Sequence, residues 1–345
     1  MTDSNFTSTR EIRLHCKDLV DVYPEICSYD QSYYSYRIWI VANAVFLGLF
    51  SLSFLGYAGV FVFTRFRNVG FTVALLLGVL CEVLGYMGRV LSWQDQWSEN
   101  GFLIQICCLT IGPAFMAAGI YFCLRNIVVA FGADNSRLNP AWYPRIFIPC
   151  DVVSLILQAL GGGMASVASH NGTNIETGNN IMIAGLAFQV FTLFAFILLA
   201  VDFAIRTLRN PRNLDHDPAL VSLRASPRFR LFLGALTLST ICIFWRCVFR
   251  VAELSDGWTG PIMREQNLFV GFEGVMVIVA VLLLNVWHPN LCFRGMENYH
   301  KKGGVKSEAG DVTQKGTSSL SSSDEERQCF TGHMMGASQD SGPKL

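Results

Sequence analysis

Seven long apolar blocks dominate the sequence: 38–63, 71–92, 102–124, 146–168, 180–203, 231–252 and 268–287. Each is long enough to cross a hydrocarbon core, which takes about 20 helical residues. Blocks this long and this numerous do not fit the buried strands of one soluble sheet. Lipid offers no hydrogen-bond partner to exposed backbone, so helices are the required form. The expected fold is all-α: a polytopic membrane protein built as a seven-transmembrane-helix bundle. Charge content agrees, since only 15% of the 345 residues are charged, against about 25% in a typical soluble domain. Mean hydropathy is +0.38. Lys+Arg and Asp+Glu both number 26, so the formal net charge is zero and no basic surface draws nucleic acid. Eleven scattered cysteines do not form the framework of a small disulfide-rich domain. Pro113 and Pro149 fall inside the third and fourth blocks, where each should bend its helix and free a carbonyl for another partner.

Charge in the connections predicts orientation. The segments 64–70, 125–145 and 204–230 hold eleven arginines, whereas 93–101, 169–179 and 253–267 hold one, Arg264. Positive residues stay on the cytoplasmic side, so the N-terminus is expected outside and the C-terminus in the cytoplasm. The sequons Asn5-Phe6-Thr7 and Asn171-Gly172-Thr173 fall on the same outer side, which makes a glycoprotein the expectation. Cys16 and Cys27 also lie there, as a disulfide or as two unpaired thiols. Residues 1–37 are mostly polar, so the first span is expected to serve as its own insertion signal. Three parts follow: an outer segment 1–37, a membrane domain 38–289, and a cytoplasmic tail 290–345. The tail is rich in Gly, Ser and charge and is expected to be largely disordered. Its Ser318–Glu326 tract reads as a phosphoacceptor site or as a solvated stretch. Cys292, just past the last span, is a palmitoylation candidate or an unmodified thiol.

A polar side chain within the bilayer needs a partner or a task. The second block carries Glu82 and Arg89 seven apart on one face, and the third carries Gln105. The fourth carries Asp151, Ser154 and Gln158 at i, i+3 and i+7, and the fifth Gln189, with Asp202 near its end. The sixth holds Arg246 and Arg250, with Glu253 beyond, and the seventh Glu273. Under the expected orientation, Arg89, Gln105, Arg246, Arg250 and Glu273 lie in the outer half. Glu82, Gln158 and Gln189 are central, and Asp151 lies toward the cytoplasm. Contributions from six blocks suggest one shared interior. Two arginines on one helix cannot neutralise each other, so Glu273 and Glu82 are the expected partners. The ladder reads either as interhelical ion pairs that hold the bundle or as a cavity for the head of an amphiphile. Gly161-Gly162-Gly163 allows close helix approach or a local break, and Gly85 and Gly88 favour packing.

Enzyme signatures are missing: the sequence has no HExxH, GxSxG or Walker A pattern. The six histidines lie in tails, in loops or at a helix end, which argues against a bis-histidine haem or a di-iron site. No lysine falls in a span, so a retinal Schiff base has no amine. Cys107, Cys108 and Cys150 read as small apolar packing rather than a soft-metal site. A non-enzyme with no cofactor and no metal is expected, and seven spans suit a transporter or a ligand-sensing receptor.

The block from Ile38 to Pro289 resembles the fungal RTA1-like family of lipid-translocating exporters. The resemblance rests on Glu82-Val83-Leu84-Gly85-Tyr86 with Arg89, and on Asp151 to Gln158 leading into Gly161-Gly162-Gly163. Arg246 to Arg250, Phe272-Glu273-Gly274 and His288-Pro289 add to it. It implies a seven-span protein that exports or flips sphingoid long-chain bases and confers resistance to toxic amphiphiles. The implied membrane is the plasma membrane ahead of a vacuolar or other internal one. It points to Glu82, Arg89, Asp151, Gln158, Arg246, Arg250 and Glu273, which with Gln105 and Gln189 of the polar ladder make the expected substrate-binding positions. The partners are an amphiphilic lipid and membrane lipids, with no nucleic acid and no protein partner named for the tail. A seven-span lipid or stress sensor without transport activity is the alternative.

Overall fold

A computed structural model describes Cys16, Ser32, Tyr34 and residues 36–292, except 66–68, 133–134, 172–173, 211–216 and 256–264. Cys27, the Asn5 sequon and the tail, with its serine tract, lie outside the described residues. So do Gly172 and Thr173 of the second sequon. Cys16 is buried and disulfide-bonded, with its partner outside the described residues.

Seven helices are long and apolar enough to cross a membrane. The first five are Ile40–Phe63, Val69–Gln94, Glu99–Phe131, Trp142–Asn171 and Glu176–Arg209. A short helix, Pro218–Ala225, precedes the sixth span, Pro227–Ser255. The seventh span, Gln266–Cys292, starts as an α-helical turn, passes through a π-helical segment Phe269–Val275, and continues as an α-helix to Val286. The chain is a multi-pass membrane protein.

Neighbours in sequence are neighbours in space. Each span packs on the next, the seventh closes back on the first, and the third also touches the fifth and sixth. The tightest seams are second-on-third and fourth-on-fifth. Gly161 and Gly178 explain the latter. A Cβ on Gly161 would fall 2.7 Å from the Gly178 carbonyl oxygen, and one on Gly178 would fall 2.8 Å from that of Gly161. Without a hydrophobic effect between helices in lipid, such backbone approach is a principal source of packing energy. The fourth helix runs unbroken through the glycine triplet, and Gly163 has open space around it. Close approach is therefore the role of Gly161, and the triplet makes no break.

Two ends of the bundle are fastened by features hard to see in sequence. At one end, Tyr34 and Ile38 pack on Phe102 and Ile106 of the third span. The Tyr34 hydroxyl donates to Gln105 Oε1 at 2.6 Å and lies 3.0 Å from Ser92 Oγ. Burial pushes that hydroxyl up to about 12, so it keeps its proton near neutral pH. At the arginine-rich end, the buried His288 ring packs on Tyr57 and Phe71. Asn290 donates to Thr64 Oγ1 at 3.1 Å, which ties the end of the seventh span to the end of the first.

Candidate functional site

The structure separates the polar ladder into two groups. The larger lies among the second, third, sixth and seventh spans, and it begins with Pro113. Proline has no N–H to offer the carbonyl four residues back, so the Leu109 carbonyl is free within a continuous helix. Arg246 Nη2 donates to that carbonyl and, at 2.7 Å, to Glu273 Oε1. Arg250 Nη1 lies 2.5 Å from Glu253 Oε2, its Nη2 donates to Thr110 Oγ1 at 3.3 Å, and its Nε lies 3.6 Å from Glu273 Oε1. All of these charged side chains are buried.

Glu273 therefore meets both arginines of the sixth span. The π-helical segment that carries it aims several neighbours as well. Phe269 lies under the Arg89 guanidinium at 3.8 Å, a cation–π contact. Phe272 stacks on Phe249 at 4.9 Å, and Gly274 leaves room for the Phe46 ring. Such π-turns concentrate at functional positions of helices.

Two pairings depart from the sequence expectation. Arg250 takes its closest partner from its own helix, because Glu253 at i+3 stands one turn away on the same face. Glu82 does not pair directly. It is fully buried against Gly112, neither carboxylate oxygen has a hydrogen-bond partner, and Arg246 and Arg250 reach it only through their field. Arg89 instead donates to the Tyr36 hydroxyl at 3.1 Å. Gln105, which the sequence assigns to the shared interior, is taken by Tyr34 at the end of the bundle.

The second group lies between the fourth and fifth spans, with the third behind it. Gln158 Nε2 donates to Gln189 Oε1 at 3.0 Å, and Thr192 Oγ1 donates to Asp151 Oδ1 at 3.4 Å. Tyr121 turns its hydroxyl toward Asp151 without completing a hydrogen bond. Asp151 Oδ2 and Gln158 Oε1 are buried acceptors without partners. Among the described residues Asp151 has no cation in its electrostatic surroundings, unlike every acid of the first group. The buried Cys247 stands between the groups, within electrostatic reach of both Arg246 and Asp151. A single shared interior is thus corrected to two adjacent polar compartments. Tyr121, Thr192, Thr110 and Tyr36 were not legible as site residues, because hydroxyls are common in spans. Pro113 was the one sequence signal that pointed to the Leu109 carbonyl.

The family model described as "RTA1 like protein" matches residues 75–296. The chain belongs to the RTA1-like family. The matched segment of this RTA1-like protein contains both polar groups. The sphingoid long-chain base transporter RSB1 of Saccharomyces cerevisiae (strain Lalvin EC1118 / Prise de mousse) is 34% identical over 254 residues. That match covers 66% of this chain and 66% of the relative, so the chain spans just under two thirds of its length. Protein RTA1 of the same species is 29% identical, covering 64% of this chain and 66% of its own. Protoporphyrin uptake protein 1 is 28% identical, covering 62% and 67%. No solved structure matches.

Proposed function

We propose that this RTA1-like protein moves amphiphilic lipids, sphingoid long-chain bases among them, between membrane leaflets. The observation that carries the reading is the pair of adjacent buried polar compartments, one around Asp151 and Gln158 and one around Arg246, Arg250 and Glu253, with Cys247 between them. An ionic head crosses hydrocarbon only at high cost, and a series of buried polar groups lowers that cost step by step. The name of the relative RSB1 supports the cargo class. The name of the protoporphyrin relative supports a family whose cargoes share amphiphilicity rather than one skeleton. Glu82, Asp151 and Gln158 lead the proposed substrate-contacting set, because they hold acceptors without partners among the described residues, whereas Gln105 is held by Tyr34 and Arg246, Arg250 and Glu273 by one another. Resistance to toxic amphiphiles follows if movement is outward across a plasma membrane, with the N-terminus outside and the arginine-rich end in the cytoplasm.

The test is the full-length protein in vesicles with a labelled sphingoid base loaded in one leaflet. Faster movement than in protein-free vesicles, reduced by Glu82→Gln, is the expected result. Saturable binding with no acceleration would sink the translocase and favour a lipid sensor.

A further inference from the structure

The third, fifth and sixth spans do not close on one another in the half of the bundle nearest the arginine-rich loops. Between them lies a cavity of about 420 Å³ walled by side chains such as Ile127, Phe131, Ala200 and Leu236. Two of its threonines have spent their hydroxyls on their own helix, Thr237 on the Leu233 carbonyl and Thr240 on that of Leu236. The third, Thr207, keeps a buried hydroxyl without a partner among the described residues, so the cavity offers a polar guest that hydroxyl and little else. Val201, Leu208 and Ile241 on its rim are exposed, so it opens sideways, toward lipid. Its wall on the fifth span runs from Phe196 to Leu208, about 18 Å at helical rise. One leaflet's share of a ~30 Å hydrocarbon core is about 15 Å.

The closed end of this cavity meets the second polar group. Phe196 packs on Tyr121 at 4.6 Å and on Phe147 at 5.4 Å between ring centroids. Tyr121 faces Asp151, and Thr192, one turn from Phe196 on the same helical face, donates to it. Three aromatic rings therefore partition a chain-sized apolar slot from a buried carboxylate that has no cation beside it among the described residues.

We propose that the slot holds the hydrocarbon chain of a single-chain amine amphiphile, that Asp151 receives its ammonium head, and that the Tyr121–Phe147–Phe196 partition must rotate to admit it. The inference rests on the translocase reading and adds the entry site to it. An ammonium brings three donors and no acceptor, and among the described residues Asp151 Oδ2 and Gln158 Oε1 are acceptors that complete no hydrogen bond. An anionic head would meet a lone carboxylate. A neutral head would leave that carboxylate uncompensated in a low-dielectric setting, where a paired charge is far cheaper than an isolated one. The chain gains little by exchanging lipid for an apolar wall, so selection falls to the head.

Full-length protein in lipid nanodiscs is irradiated with a long-chain alkyl amine that carries a diazirine at its chain end. Label is expected on the fifth and sixth spans along the slot. An unlabelled amine should compete at least about tenfold better than a chain-matched fatty acid or a diacyl phosphatidylcholine. Asp151→Asn should erase that preference. Ala204→Trp, at an exposed slot-lining position, should lower labelling about tenfold. Label elsewhere, or equal competition by acid and phosphatidylcholine, would mean that the slot takes ordinary boundary lipid and would overturn the site. The competition on unaltered protein keeps the proposal falsifiable if a variant does not fold. Leaflet exchange is measured on the same preparations. Slot labelling without exchange removes the translocase and leaves the site. Exchange undiminished by Ala204→Trp removes the site and leaves the translocase.

Discussion

The two polar groups show two ways of keeping charge inside a membrane. The group around Glu273 pairs its own charges: Arg246 and Arg250 meet Glu253 and Glu273, Arg89 rests on Tyr36 and Phe269, and Glu82 lies in the field of Arg246 and Arg250, all buried. Its arginines use a carbonyl, a hydroxyl, a ring and carboxylates as partners. The group around Asp151 has one acid, two amides and hydroxyls, with no cation in its electrostatic surroundings among the described residues. A balanced network gains nothing from a charged guest, and opening it exposes ions to hydrocarbon. An unbalanced carboxylate gains from a cationic one. The first group is suited to hold four spans together, and the second to exchange partners.

The largest expected effect follows from breaking the balanced group. Glu273→Gln removes the carboxylate that both sixth-span arginines share. Leaving a buried charge without its partner costs about 3–5 kcal/mol. Thermal unfolding of purified protein should show a strong loss of stability. The double variant Arg246→Gln with Glu273→Gln should recover part of it, since removing both ions is cheaper than removing one. Equal stability of the single variant and the parent would show that the ion pair carries no structural load.

Asp151→Asn sharpens the contrast from the other side. It neutralises a lone buried acid and keeps the side-chain shape, so unfolding should move by less than about 1 kcal/mol or shift toward greater stability. Exchange of a sphingoid base should nevertheless fall. A drop in stability as large as that of Glu273→Gln would erase the distinction between the groups.

How much of this contrast was visible in the sequence follows from what a span reveals. The seven spans were legible because long apolar runs have a single outcome in lipid. The meeting of Glu273 with Arg246 and Arg250 was legible because intramembrane charges seek partners. The freed Leu109 carbonyl followed from Pro113. The division into two groups was hidden, because it depends on the rotation of each helix about its axis. In a soluble helix, a polar face fixes that rotation. Here both the lipid-facing and the packed faces are apolar, so residues such as Thr192 and Phe196 give no sign of which way they point. The π-helical segment at Phe269–Val275 turns the seventh span in a way that no regular 3.6-residue count anticipates. The cap formed by Tyr34 and Ile38 was missed because Tyr34 sits in a stretch that reads as polar tail and Ile38 reads only as the start of the first span.

The seam behind the Asp151 group can be broken without touching charge. Gly161→Leu would drive a side chain into the Gly178 carbonyl and Met182 backbone, at a cost of about 1–3 kcal/mol from overpacking. Gly163→Leu enters open space and should leave unfolding unchanged. Similar losses from both would show that the triplet does not act through close approach, since helix propensity alone favours Leu over Gly.

Orientation decides whether the Asp151 group faces the inner or the outer leaflet. A protease site inserted within 211–216, in the arginine-rich connection, should stay protected in intact cells and be cut after permeabilisation. Cleavage in intact cells would reverse every depth assigned above, and the slot would then open to the outer leaflet.

The smallest effect belongs to the cap that overlies neither compartment. Tyr34→Phe removes the hydroxyl bonded to Gln105 and keeps the ring on Phe102. A typical buried hydrogen bond contributes about 0.5–1.5 kcal/mol, and the orphaned Gln105 oxygen adds to the loss. The pH dependence identifies the hydroxyl. Burial raises its folded-state pKa from 10.0 to about 12, so its contribution is present below pH 10 and fades as the pH rises through about 12. Parent protein should therefore lose cap stability over that window faster than Tyr34→Phe, which has nothing to ionise there. Hydrogen exchange of the amides near Phe102 and Gln105 reads the cap separately from the rest of the bundle. Parallel alkaline curves for the two proteins would mean that the ring, rather than the hydroxyl, holds the cap. The two polar compartments should be indifferent to the change, because Tyr34 meets the network through ring contacts that Phe keeps, 5.6 Å from Arg89 and 6.1 Å from Tyr36.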